Sequence, residues 1–108
     1  MADTISTAKT LTNTTTESNV LRHNGGKLHF TMQGVFNGAT VTVHACDTED
    51  GTFGVATNAD GGGTISQGAG TDNAFYYETA TLGPCFVKAV ATGTGASTSL
   101  RTKLISRA

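Results

Sequence analysis

Tryptophan is absent from this chain of 108 residues, proline occurs once, at Pro84, and only 14% of the residues are charged. Each scarcity excludes something. A net charge of −1 and a pI near 6.2 leave no basic footprint, so no specific nucleic-acid partner is expected. No apolar run approaches the roughly 18 residues of a membrane span, and Met1 leads into Ala-Asp-Thr instead of a basic and then an apolar segment. A soluble chain with no membrane partner and no secretion signal is expected. Two cysteines, Cys46 and Cys85, allow at most one intramolecular bridge, and the expected cytoplasmic origin argues against it. They read as two small, partly buried side chains.

What is abundant points one way. Threonine recurs along the whole chain and Gly contributes 14 residues, a combination that favours strands and turns over helices. The length suits one core and no more. Residues 20–108 are therefore expected to form a single all-β domain, a β-sandwich of Ig-like or jelly-roll-like type with about seven or eight short strands.

The stretch from Lys27 to Cys46 carries the clearest pattern. Leu28, Phe30, Met32, Gly34 and Phe36 alternate with His29, Thr31, Gln33 and Val35, the period of a half-buried strand. Asn37-Gly38 follows, the dipeptide of a two-residue type I′ turn. A hairpin closed there pairs Phe36 with Ala39, Gly34 with Val41, Met32 with Val43 and Phe30 with Ala45. Its other face pairs Thr31 with His44, Gln33 with Thr42 and His29 with Cys46.

Residues 1–19 (MADTISTAKTLTNTTTESN) hold only Ile5 and Leu11 as sizeable apolar side chains beyond Met1. A segment this polar cannot repay its ordering entropy from side-chain burial. It is expected to be an extended arm that docks on another chain's sheet edge, with Ile5 and Leu11 as partner-binding anchors. Further on, short strands are expected around Val20-Leu21, Phe53 to Ala56, Thr64 to Ser66, and Ala74 to Thr81 with aromatics on both faces. Cys85 to Thr92 is almost continuously apolar and should be central. In Ser97 to Ile105, Leu100, Thr102 and Leu104 alternate with Ser99, Arg101 and Lys103, a strand buried on one side.

Candidate chemistry is sparse. The hairpin would gather His29, His44 and Cys46, but the spacing matches no zinc signature, and no fourth ligand, orienting group or oxyanion loop accompanies them. The turn Asp47, Glu49, Asp50 fails the calcium-loop template, because Gly51 stands where a ligand should and no Glu closes the loop. The glycines at 61–63 and 68–70 precede neither Lys-Ser/Thr nor a helix, which excludes a phosphate loop. No catalytic residue, metal or cofactor is expected. Arg101 and Lys103, on one side of the last strand, and Tyr76 and Tyr77 are the candidate surface contacts.

Three stretches carry a resemblance: Gly34-Val-Phe-Asn-Gly-Ala-Thr-Val-Thr-Val43, the acidic-Gly-Thr-aromatic turn from Asp50 to Phe53, and Phe86-Val-Lys-Ala-Val90 with its Gly-Thr-Gly turn and Ser/Thr-rich last strand. Over residues 27–104 the chain resembles small β-sandwich virion proteins of tailed bacteriophages. It differs from them in having Phe53 where Trp is frequent, and in its Thr-rich arm. The resemblance implies a non-enzymatic virion protein, assembled in the host bacterial cytoplasm. A capsid decoration (cement) protein, binding the major capsid protein and copies of itself as a homo-oligomer, is the leading expectation. A neck or tail component is the second, and a carbohydrate-binding sandwich with Tyr76 or Tyr77 as its platform is the third.

Overall fold

Nine strands alternate with tight turns in a computed structural model that describes residues 4–68 and 70–107, and no helix is found among those residues. Residues 1–3 of the expected arm, and Ala69 within the expected connection at 67–72, lie outside the described residues. One antiparallel sheet has the order β1 (Thr4–Thr12), β9 (Ser99–Arg107), β3 (Gly26–Val35), β7 (Tyr76–Leu82). The other runs β2 (Leu21–His23), β8 (Cys85–Thr92), β4 (Thr40–Cys46), β5 (Gly54–Val55), with β6 (Ser66–Gln67) also paired to β4. The architecture is the expected all-β sandwich.

Alternation explains how the two sheets meet. Leu28, Phe30 and Met32 of β3 and Leu100 and Leu104 of β9 face Val41 and Val43 of β4 and Val87, Ala89 and Ala91 of β8, all buried. The intervening residues, His29, Thr31, Arg101 and Lys103 among them, point outward. Central β8 and one-sided β9 are as expected. So are aromatics on both faces of β7, where Tyr77 is exposed and Tyr76 packs on the core.

The hairpin expectation is half right. Asn37 and Gly38 both have positive φ, 45° and 86°, and Ala39 N–H donates to the Phe36 carbonyl at 2.9 Å, as a type I′ turn requires. The faces also hold, since Phe36, Ala39, Val41 and Val43 are all fully buried. The pairing does not. β3 pairs with β7 and β9, β4 pairs with β8, β5 and β6, and the turn carries the chain from one sheet to the other. A flat hairpin would set both apolar faces side by side, to be covered by something else. Folding β4 over β3 sets them against each other, while β3 pairs with β9 over nine residues and β4 with β8 over seven. Gly34 bends the chain there: its φ is +146°, and a Cβ would collide with the Ser99 carbonyl oxygen.

The expected arm is a strand of the sandwich itself. Residues 4–12 form β1, paired with β9 in a nine-residue register from Thr4↔Arg107 to Thr12↔Ser99. Leu11 is fully buried in the core and Ile5 packs against it. Beyond Thr12 the chain crosses to the second sheet: Ser18 N–H donates to the Ala89 carbonyl at 2.9 Å, and the Thr16 carbonyl accepts from Ala91 N–H at 2.8 Å. The Glu17 carboxylate reaches Lys88 Nζ at 2.8 Å. Residues 4–19 therefore belong to the same packed unit as 20–107, and neither Leu11 nor Ile5 is an anchor held out for a partner. Apolar content was the wrong measure, because a β-branched Thr-rich strand is held chiefly by main-chain hydrogen bonds and needs few large side chains. The radius of gyration, 13.0 Å, is that expected of a compact domain of this length.

Candidate functional site

The sandwich separates the residues that a hairpin would have gathered. His29 lies on the outer face of the first sheet, where its Nδ1 is 2.9 Å from Thr79 Oγ1, while His44 and Cys46 lie on β4 in the second. Among the described residues no three His, Cys, Asp or Glu side chains stand close enough to hold an ion. Cys46 is paired with Phe86, so its neighbour Cys85 points to the opposite face of that sheet, and both thiols are free. Burial pushes the Cys85 thiol pKa up.

A Ser-His contact occurs as well, inside the core. His23 Nδ1 lies 2.6 Å from Ser106 Oγ, and its Nε2 lies 3.2 Å from the Gly26 carbonyl. A carbonyl only accepts, so Nε2 carries the proton and, in the neutral ring, Nδ1 accepts from the Ser106 hydroxyl. His23 is 1% and Ser106 2% exposed, which keeps any substrate away from them. The pair is a satisfied polar link between the sheets.

The outer face of the first sheet carries a run of surface concavities. Three contiguous concavities run across it and form one shallow trough. The first, about 340 Å³, is lined by His29, Thr31, Phe75, Tyr77, Ile105 and Arg107. It shares Thr31 and Phe75 with the second, which in turn shares Gln33 and Arg101 with the third. From Arg101 to Arg107 the floor measures about 20 Å along β9.

Its walls are built with care for position. Phe75 and Tyr77 are 60% and 70% exposed, and their rings stack with centroids 6.2 Å apart and planes at 30°. The loop before them is pinned: Asn73 N–H donates to the Gly34 carbonyl at 2.7 Å, and Thr71 N–H donates to Tyr76 Oη at 2.8 Å. Asn73 itself adopts φ 65°. On the floor, Arg101 Nη2 donates to Gln33 Oε1 at 3.3 Å, and Gln33 Nε2 donates to the Asn73 carbonyl at 2.9 Å. At one corner the Lys27 ammonium meets Asp60 Oδ2 at 3.3 Å. A hydrogen bond from Thr81, joined by Lys27, holds the Asp60 carboxyl below its usual range. Among the described residues, no carboxylate forms an ion pair with Arg101 or Lys103.

Of the residues singled out from sequence, Arg101, Lys103 and Tyr77 come together here. Tyr76 does not. Its ring turns inward and meets Phe36 edge-on, with centroids 5.5 Å apart, so it is no surface platform. Phe75, Ile105 and Arg107 are additions that only the sheet order reveals, and His29, weighed from sequence as a metal ligand, lines the trough instead. Ile105 left one signal, since it is an apolar residue at a position where alternation along β9 asks for a polar one.

Comparison with known proteins adds no relative: no family model, no curated protein and no solved structure matches the chain.

Proposed function

We propose that this protein is a structural component of a tailed-phage virion and not an enzyme, a capsid decoration protein that associates with its own copies and binds the major capsid protein. The trough carries this reading. It is open and shallow, combining stacked exposed aromatics with Arg101 and Arg107, residue types enriched at protein contact surfaces more than in an enclosed small-molecule pocket. The resemblance of residues 27–104 to such virion proteins supports the same reading. A decoration protein needs two contacts, one to its own kind and one to the shell, and β1 supplies a second candidate as an edge strand with no strand on its outer side among the described residues. The opposite edge, β7, is partly covered, because Ala59 N–H donates to the Thr81 carbonyl and Thr81 N–H to Asn58 Oδ1.

The test is binding to phage heads that lack the protein, imaged by electron cryomicroscopy. Binding spread in many copies over the head lattice is the expected result. A single ring at one vertex would place it in the neck or tail, and no binding to any virion part would overturn the reading. A carbohydrate-binding module is the second reading, favoured by the Phe75-Tyr77 stack, which could receive the apolar face of a sugar ring.

A further inference from the structure

We infer that the trough receives the acidic turn of a second copy of this chain, so that copies associate head to tail. The inference rests on the self-association within the reading above and names its contact. Arg101 and Lys103 are the receptor cations, and Asp47, Glu49 and Asp50 are the inserted carboxylates.

Negative charge is concentrated at one turn of this near-neutral chain; Arg22 lines a concavity with Asp47, but among the described residues no ion pair joins them. The turn from β4 to β5 places three carboxylates within four exposed residues, and the two ion pairs among the described residues, Lys27–Asp60 and Lys88–Glu17, use none of them. The turn is also compact. Thr48 Oγ1 and Asp47 Oδ1 lie 3.6 and 3.7 Å from Cys46 Sγ, and Gly51 packs so closely on Thr48 and Cys46 that a Cβ there would collide with both. Little ordering entropy remains to be lost when it docks. Just beyond the turn, Val55 is 52% exposed on β5 and offers an apolar counterpart to Phe75 and Tyr77. Each surface thus pairs charge with an exposed apolar group, of opposite sign on the two sides.

The turn hangs from the second sheet, whereas the trough opens away from that sheet, so no copy can fill its own trough. A contact between two different patches is heterologous, and it propagates into a ring or an open chain of copies. This suits a protein that must tile a surface.

Sedimentation velocity of the full chain, with a double variant Arg101→Glu/Lys103→Glu and a triple variant Asp47→Lys/Glu49→Lys/Asp50→Lys, tests the contact. All five positions are exposed, and far-ultraviolet circular dichroism verifies that each variant is folded. The unaltered chain should associate with rising concentration, and association should weaken by about tenfold or more in roughly 0.5 M salt. Each variant alone should sediment as a monomer, and an equimolar mixture of the two should associate again, because the reversed trough now matches the reversed turn. Association of either variant at wild-type strength would overturn the contact while leaving self-association itself standing. An unaltered chain that stays monomeric at low salt would also overturn it, as would a monomer retained on polygalacturonate through Arg101 and Lys103. Binding to heads is read separately, so failure here is distinguishable from failure of the virion reading.

Discussion

Two pairs of neighbours differ instructively. β3 and β4 are joined by a two-residue turn and do not pair, whereas β1 and β9 lie at opposite ends of the described chain and pair over nine residues. Turn chemistry is local: Asn37-Gly38 specifies positive φ at two residues and reverses the chain, whichever strand ends up alongside. Partner choice is global, decided by which arrangement buries both apolar faces and satisfies the most main-chain groups. The distant pair therefore carries more of the stability than the adjacent one.

The strongest way to break that comparison is to remove residues 2–12. The edge of β9 would lose its partner and the core would lose Leu11, so the truncated chain should fail to fold or should aggregate through the bared strand. A truncated chain with an unchanged melting curve would show that β1 is dispensable. Leu11→Ala asks the same question with one side chain. It should cost about 2–5 kcal/mol, the usual range for emptying a fully buried leucine site, measured by urea denaturation.

The local turn should matter less. Gly38→Ala puts a Cβ at φ 86° and should cost about 1 kcal/mol without altering the pairing of β3 or β4. A loss as large as that of Leu11→Ala would mean that the turn, and not the distant pairing, organises the sandwich. The smallest effect is expected where Lys27 and Thr81 hold Asp60, at an exposed corner of the first sheet. Its native pKa lies below the ordinary 3.8, so its stabilising contribution is present above that value and is lost as pH falls through the lowered native value. Asp60→Asn should therefore lower the melting temperature slightly at neutral pH and not at all in strong acid. A constant difference across that range would assign the effect to something other than the carboxylate's charge.

Much of the fold is legible in the residues themselves. The alternation from Leu28 to Phe36 and from Leu100 to Leu104, and the apolar run from Val87 to Ala91, mark the inward faces, because a strand's period of two is a property of the backbone. The Thr-rich segment at the start misleads, since counting apolar side chains ignores the main-chain bonds that β9 offers to it. The candidate site is legible only in part. Arg101, Lys103 and Tyr77 stand out on their own strands, but nothing local says that β3, β7 and β9 lie side by side.

Residue type and spacing determined the all-β class, the position of the Asn37-Gly38 turn and the division of each strand into an inner and an outer face. These depend on φ preferences and side-chain alternation, which act over two to four residues. Tertiary structure alone decided that β3 and β4 belong to different sheets, that the expected arm is a strand of its own domain, and that Tyr76 turns inward while Tyr77 stays out with Phe75. The physical reason is that a strand's edge can accept any partner of suitable length, so the choice among partners is settled only when all the apolar faces are buried at once.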